Sequence, residues 1–196
     1  MMTRATSDSK LERMRLGFAG AARKHFGFLV AMGFTEVGST LTTIRYQKGG
    51  IELAVYHGRR SFELGFEATR CGERYSIEEL IRVEDPGVAG TYRNFVATAA
   101  DEVDTGLAQL GALVRRYCAR ALSDDSALYA ALKVQRTNWA EGFALDVLAA
   151  QMRPKAEAAF RSGDYRQAAE LYERIRPALS ASELKRLALA QARAQM

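Results

Sequence analysis

The sequence lacks the features that mark membrane, secreted and cofactor-dependent proteins. No apolar run approaches the roughly 20 residues that span a bilayer, and the N-terminus has no apolar signal-peptide core. The two cysteines, Cys71 and Cys118, are too few for a disulfide scaffold. The histidines and cysteines have no zinc-site spacing, and no glycine-rich phosphate loop is complete. We therefore expect a cytoplasmic, non-enzymatic protein with no cofactor, no bound metal and no membrane association.

The net charge of +5 is distributed unevenly along the chain. Lys and Arg outnumber Asp and Glu by 10 to 4 in residues 1–60 and by 9 to 5 in residues 151–196. In residues 61–150 the acidic side chains lead by 14 to 9. Basic ends and an acidic middle favour association between copies of the chain at least as much as they favour nucleic acid binding.

The 196 residues are enough for one domain and a smaller appendage. Apolar residues recur at helical spacing over residues 10–32, which predicts a helix that Gly33 ends. The stripe consists of Leu11, Met14, Phe18, Ala22, His25, Leu29 and Met32. Because His25 lies on this stripe, we expect a partly buried side chain with its own hydrogen-bond partner.

Residues 35–67 alternate between apolar and polar side chains, which predicts a three-stranded antiparallel β-meander packed against the first helix. Gly49 and Gly50 form the first hairpin turn. Counting from this turn gives the pairs Lys48–Ile51, Tyr46–Leu53 and Ile44–Val55. A second two-residue turn at Gly58 and Arg59 gives the pairs Val55–Phe62, Leu53–Leu64 and Ile51–Phe66.

The polar face of the meander is the best candidate for a binding surface. The proposed binding residues on it are Arg45, Glu52, Tyr56 and Glu63. An exposed sheet face supplies neither a paired base nor burial, so an enzyme that acts on a small acid through Arg45, Tyr56 and Glu63 is the least favoured interpretation. A separate hypothesis assigns anion binding to the second turn, through His57, Arg59 and Arg60. The alternative for that turn is a solvated loop.

The remainder of the chain has helical patterns. Ser76 and Glu79 form a capping box for a helix that ends before Pro86. Periodic apolar residues then predict helix over residues 91–122, with a break near Asp101 left open. Residues 123–125 cap a further helix that is interrupted near residues 137–138 in one interpretation, and Pro154 begins another.

Residues 156–175 resemble a tetratricopeptide repeat. The residues that carry the resemblance are Ala158, Phe160, Gly163, Asp164, Tyr165, Ala168 and Tyr172. It implies a helix-turn-helix in which Gly163 and Asp164 make the turn while Ala158 and Ala168 let the helices approach closely. Ser180 and Glu183 cap a final helix with Leu184, Leu187 and Ala188 on one face. About three repeats build a binding groove, so this incomplete set favours a structural cap.

The N-terminal half resembles small bacterial α+β proteins of uncharacterised role. The residues that carry this resemblance are Phe26 to Leu29, Gly33, Phe34 and Tyr75 to Leu80. The resemblance implies binding to other proteins, including an immunity-type neutralisation of toxins, and lowers the expectation of enzymatic activity.

The sequence therefore predicts an α+β protein with an α+β domain over residues 1–90 and a helical region over residues 91–196. The helical region ends in the tetratricopeptide-like hairpin of residues 154–196. The predicted function is non-enzymatic protein binding or regulation. One alternative is a homo-oligomer built through the helical tail. Another is nucleic acid binding through the basic first helix, which carries Arg13, Arg15, Arg23 and Lys24.

Overall fold

A computed structural model describes residues 11 and 13–195, and it confirms the α+β class. The chain forms two compact units that divide between Lys133 and Val134. The sequence placed the boundary at residue 90 instead. The difference arises because the helix over Ala100–Tyr117 packs against the sheet and so belongs to the first unit.

The first helix, α1, covers Phe18–Ala31 and has its buried side on Phe18, Ala22, Phe26 and Leu29. Its predicted end is confirmed: Gly33 has φ of +89°, and the Phe34 amide donates to the Leu29 carbonyl at 3.0 Å.

The predicted start of this helix is wrong. Gly17 has φ of +63° and separates α1 from the helical residues 13–15, while residue 10 lies outside the described residues. Since the break turns the preceding residues off the stripe, Leu11 and Met14 are exposed.

The sheet is antiparallel and contains six strands in the described part of the chain, so the prediction of three was too low. They are β1 (Thr35–Ser39), β2 (Thr43–Lys48), β3 (Ile51–His57), β4 (Glu63–Arg70), β5 (Glu73–Ser76) and β6 (Phe95–Val96). The first five lie side by side in chain order, and β6 pairs with one end of β4.

The first hairpin has the predicted register, with Tyr46 opposite Leu53 and Ile44 opposite Val55. The second register is wrong, since Val55 lies opposite Phe66 rather than Phe62. The connection is a longer loop over residues 58–62, closed by a 2.7 Å hydrogen bond from the Gly58 amide to the Glu63 carbonyl. The pairing moves by an even number of residues, so the side chains of β4 keep their predicted faces, whereas Phe62 lies in the loop instead of the sheet.

The inner face of the sheet packs against α1 and α4 (Ala100–Tyr117). The side chains that it buries are Ile44, Tyr46, Ile51, Leu53, Val55, Leu64, Phe66 and Ala68. Helix α4 approaches closely: a Cβ at Gly106 would lie 2.5 Å from Leu64 Cδ1, and one at Gly111 would lie 3.1 Å from the His25 carbonyl oxygen. Only glycine allows these two contacts at their present distances.

Helix α2 (Ile77–Glu84) has the predicted capping box, and α3 (Pro86–Thr91) follows it. Helix was predicted over residues 91–122 with a break near Asp101 left open, and the structure has such a break, which lies earlier than that position. The chain is non-helical from Tyr92 to Ala99, where β6 lies, and α4 and α5 (Ala119–Leu122) come after it. The amides of Thr98 and Ala99 donate to Glu102 Oε2 at 2.7 and 3.1 Å, which fixes the start of α4.

Helix α6 covers Ser126–Ser162 without the interruption considered near residue 137. Asp125 caps it as predicted, because its Oδ1 accepts from the amides of Ala127 and Leu128. Pro154 lies inside α6 rather than at the start of a new helix. The helix tolerates the missing N–H donor of the proline without ending.

The second unit contains α7 (Tyr165–Arg174), a 3-10 turn (Arg176–Ala178) and α8 (Ala181–Ala194). Gly163, with φ of +83°, makes the predicted turn, and Asp164 caps α7 by accepting from the Gln167 amide at 3.0 Å. Ala159, not the exposed Ala158, packs with Ala168. The helix-turn-helix is therefore present, while its kinship to tetratricopeptide repeats stays a prediction.

The Ser180 and Glu183 capping box of α8 is confirmed. Its buried face is formed by Glu183, Leu187 and Ala190, whereas Leu184 and Ala188 are exposed, contrary to the prediction. The Glu183 carboxylate faces inward because it accepts from Arg153 Nε at 3.0 Å and from the Ser180 amide at 2.7 Å. These two bonds hold the pKa of Glu183 below its usual value, led by the one from Ser180.

Candidate functional site

The outer face of the sheet carries a groove of about 660 Å³, which we call the outer-face groove. Alternation along each strand directs polar side chains to this face, opposite the packed core. One cross-strand row contains Thr43, Tyr56 and Gly65, and the next contains Arg45, Ala54 and Glu67. A third row contains Gln47, Glu52, Thr69 and Arg74.

Two connections form the rims of the groove. The end of β1 contributes Ser39, the connection to β2 contributes Thr40 and Thr42, and the loop after β3 contributes Gly58 and Arg59. Between these rims the small residue Ala54 leaves space on the floor of the sheet. The arrangement suits an extended ligand that lies on a polar floor rather than a compact ligand enclosed on all sides.

The ring of Tyr56 lies directly over Gly65 on the neighbouring strand. A Cβ at Gly65 would come within 2.3 Å of Tyr56 Cζ, so the absence of a side chain there lets the ring lie flat on the backbone. Partial burial raises the pKa of Tyr56, with further contributions from Glu67 and Glu63. The phenol therefore stays protonated at neutral pH and presents a hydroxyl that donates or accepts a hydrogen bond.

Charges of both signs line the groove and pair loosely with each other. Arg74 Nε is 3.5 Å from Glu67 Oε2, and Arg45 Nε is 3.7 Å from Glu52 Oε1. Desolvation raises the pKa of Glu67, although Arg74 opposes the shift. Exposed pairs at these distances contribute little to stability, so a ligand with its own charges is able to exchange with them.

Three of the four residues predicted for the outer surface, Arg45, Glu52 and Tyr56, line the groove together. Glu63 is not among its lining residues, and Glu67 occupies the row of Arg45 in its place. The cause is the longer loop after β3, which moves the β4 residues along their partner strand. Sequence reasoning missed Glu67, Thr69 and Arg74: a correct loop length would have placed Glu67 in its row, whereas Arg74 required the unpredicted strand β5.

The residues predicted for the anion-binding turn differ in exposure, although His57 and Arg59 both line the outer-face groove. Arg59 is at the rim of the groove and Arg60 is exposed. His57 is 2% exposed, so the solvated alternative is wrong for this side chain. Its Nε2 is 2.8 Å from the Ala97 carbonyl and its Nδ1 is 3.1 Å from Arg13 Nη1, which assigns the proton to Nε2. Both ring nitrogens are thus engaged within the protein.

Arg13 connects the segment before α1 to the loop after β3. Its guanidinium donates to His57, to the Gly58 carbonyl at 3.1 Å and to the Arg59 carbonyl, and it lies 4.1 Å from the centroid of the Phe62 ring. Burial lowers the pKa of His57, and the nearby Arg13 charge adds to that effect. These contacts of Arg13 hold the loop after β3, which forms one rim of the outer-face groove.

Three of the four cations predicted to bind nucleic acid have intramolecular partners, and the fourth, Arg15, is exposed. Besides Arg13, Arg23 pairs with Glu36 at 2.7 Å, and Lys24 pairs with Asp104 at 3.0 Å. Asp104 also lies 2.9 Å from His25 Nε2, which agrees with the expectation of a partnered, partly buried His25. Nucleic acid would have to compete with these carboxylates for the same charges.

No group of three or more His, Cys, Asp and Glu side chains among the described residues is arranged to hold a metal ion. None of the helices described is both long and apolar enough to cross a bilayer.

Comparison with known proteins gives no relative from which to transfer a role. No family model matches the chain, and neither a curated protein nor a solved structure is significantly similar to it. The residues behind the N-terminal resemblance, including Phe26, Phe34, Tyr75 and Leu80, lie in the core. Their burial in the core is sufficient to explain why apolar residues recur at the positions that carried the resemblance.

Proposed function

We propose that the protein binds a segment of another protein in the outer-face groove. The observation that carries this proposal is the cross-strand arrangement of Arg45, Tyr56 and Glu67, which presents a cation, a neutral phenol and an anion on one open surface. A polypeptide offers carbonyls, amides and side chains of both signs, and so matches this mixture. A polyanion would be attracted by Arg45, Arg59 and Arg74 but repelled by Glu52 and Glu67, so it matches this mixed lining less well than a segment with charges of both signs.

The role of Tyr56 in binding follows from its position. The ring is half-buried against Gly65, so ordering it on binding costs less conformational entropy than ordering a long exposed side chain. Aromatic rings with a polar end are frequent anchors of protein interfaces. Tyr56 thus supplies apolar contact area together with a hydroxyl, while Arg45 and Glu67 select the charges of the bound segment.

The test uses a library of random linear peptides displayed on phage and selected on the full-length protein. We expect enriched peptides to lose at least about tenfold in affinity, or about 1.4 kcal/mol, on Tyr56→Ala and on Arg45→Glu. Gln47→Ala is the matched control, because Gln47 is exposed on the outer face of β2 but does not line the groove. It should leave the affinity unchanged.

Two outcomes count against the proposal. One is a selection in which no peptide discriminates between the protein and its Tyr56→Ala variant. The other is tight binding of an oligothymidine that falls steeply with salt and is lost on Arg15→Glu, which would support the nucleic acid alternative instead. Far-UV circular dichroism on each variant confirms that the fold is retained.

A further inference from the structure

The second unit contains a cavity of about 330 Å³ between its helices, which we call the α6–α8 cavity. It is lined by Glu157, Phe160 and Arg161 from α6, by Tyr172 from α7 and by Arg186 from α8. All five residues belong to the second unit, whereas the outer-face groove lies in the first. The volume of the cavity is at the lower end of the range for small-molecule sites.

Tyr172 brings a buried hydroxyl to this cavity. Its side chain is fully buried, and the ring packs with Ala156 and Leu187 in the core of the second unit. The hydroxyl oxygen is also buried, and no described residue forms a hydrogen bond of regular geometry with it. A buried hydroxyl without a partner destabilises the folded state, so phenylalanine would serve the packing better. The hydroxyl therefore points to a ligand that supplies an acceptor.

Two arginines line the cavity beside this hydroxyl. The proximity of Tyr172 raises the pKa of Arg186, and Glu157 adds to the effect. Arg161 contributes a second guanidinium from α6. The side chains of Arg186 and Arg161 are 46% and 77% exposed, so a solute is able to reach both.

The Glu157 carboxylate lies between the two arginines. Its Oε1 is 3.4 Å from Arg186 Nη1, and its Oε2 is 4.0 Å from Arg161 Nη2. A strong hydrogen bond between a guanidinium and a carboxylate is about 2.7–2.9 Å long, so both contacts are loose. Because loose, exposed pairs contribute little to stability, a carboxylate of a ligand is able to take over the guanidinium donors.

We infer that the α6–α8 cavity binds a small dicarboxylic acid. One carboxylate accepts from the Tyr172 hydroxyl and the Arg186 guanidinium, and the other pairs with Arg161. The half-buried ring of Phe160 offers apolar contact to the carbon chain between them. The excess of Lys and Arg over Asp and Glu in residues 151–196, 9 to 5, attracts anions to this unit.

Glu157 favours a ligand whose two negative charges are separated. A dicarboxylate meets a different arginine with each of its charges. Phosphate would concentrate both charges in one group beside the Glu157 carboxylate, where like charges repel. The arrangement of the charges therefore selects an organic acid over inorganic phosphate.

An NMR titration of the ¹⁵N-labelled full-length protein tests the inference. Sodium succinate replaces sodium chloride at constant ionic strength, so that general screening does not change. We expect saturable chemical-shift changes around Tyr172 and Arg186, with a dissociation constant of about 0.1–1 mM. Sodium phosphate, titrated in the same way, should bind more weakly.

Single variants separate the contacts. Tyr172→Phe removes only the hydroxyl and should weaken succinate binding about three- to tenfold. Arg186→Gln should weaken it at least about tenfold. Arg166→Gln is the matched control, because Arg166 lies on α7, pairs with Glu170 at 3.4 Å and does not line the cavity. It should leave the affinity unchanged.

Urea denaturation distinguishes a binding role of the hydroxyl from a structural one. Without succinate, Tyr172→Phe should leave the urea midpoint unchanged or raise it, because it removes a buried hydroxyl that has no partner in the described part of the chain. Saturating succinate should raise the midpoint of the original protein more than that of Tyr172→Phe.

Four results would overturn the inference. They are the absence of saturable shifts up to about 20 mM succinate, an equal affinity of Tyr172→Phe, tighter binding of phosphate than of succinate, and a lower urea midpoint of Tyr172→Phe without succinate. The last result would mean that the hydroxyl forms a structural bond with Arg186.

Discussion

The two faces of the sheet come from the same strands but differ in what they tolerate. On β3, Leu53 and Val55 are fully buried on the inner face, while Glu52 and Tyr56 on the outer face line an open groove. The inner face is constrained by packing at near-crystalline density, whereas the outer face is constrained mainly by the ligand it would hold. Substitutions that are alike in chemistry should therefore have unlike effects on the two faces.

The largest effect is expected from Leu53→Ala. Removal of a fully buried leucine in the central strand should lower the free energy of unfolding by about 2–5 kcal/mol, through lost burial and the cavity left behind. Tyr56→Phe, on the same strand but facing outward, should change it by less than about 0.5 kcal/mol. Urea denaturation followed by circular dichroism measures both, and equal losses would remove the distinction between the faces.

A pair of glycines compares the faces with the same substitution. Gly106→Val should cost about 1–3 kcal/mol, because the new side chain meets Leu64 inside the core between α4 and β4. Gly65→Val meets only the outer end of the Tyr56 side chain, which is able to swing away into the groove. Gly65→Val should therefore lower the free energy of unfolding by less than about 1 kcal/mol. The urea midpoints of the two variants show whether Gly106→Val is the more destabilising.

In peptide binding the order of these glycine variants should reverse. Gly65→Val displaces the Tyr56 ring and should weaken a selected peptide, whereas folded Gly106→Val should still bind. An intact affinity for Gly65→Val would mean that the ring position over Gly65 is not used in binding.

The smallest effect is a pH dependence at the rim of the groove. Burial lowers the pKa of His57 in the folded state, so the unfolded chain binds a proton first as the pH falls below about 6.5. The contribution of neutral His57 to stability is complete above that pH and declines towards the lower folded pKa. The stability advantage over His57→Gln should therefore shrink between pH 7.5 and pH 5. If the urea midpoints of the original protein and of His57→Gln changed with pH in parallel, the result would contradict this prediction.

The sequence was sufficient where local rules decide the structure. The two-glycine turn at residues 49–50 fixed the first hairpin register, and glycine at residue 33 ended α1. The capping boxes at Ser76 and Ser180 were also predictable, since their hydrogen bonds join residues three apart. The inward and outward assignment of Arg45, Glu52 and Tyr56 followed from alternation alone.

The sequence was insufficient where distant residues meet. The loop after β3 is held in part by Arg13, more than 40 residues away, so its length was not readable from local turn rules. Because this loop was predicted to be too short, Glu63 was assigned to the binding surface at the place that Glu67 occupies. Likewise, β6 interrupts the helical pattern because residues 95–96 pair with β4, a long-range contact that outweighs local periodicity.

The sequence by itself determined which side chains share a face, because alternation and helical period depend only on position along the chain. The tertiary structure decided which of those side chains become neighbours. It placed Arg45 and Glu67 in one cross-strand row on either side of Ala54, directed His57 inward to Ala97, and left Trp139 and Phe143 in solvent. Neighbours across strands and helices depend on loop lengths and long-range packing, and these are properties of the whole folded chain.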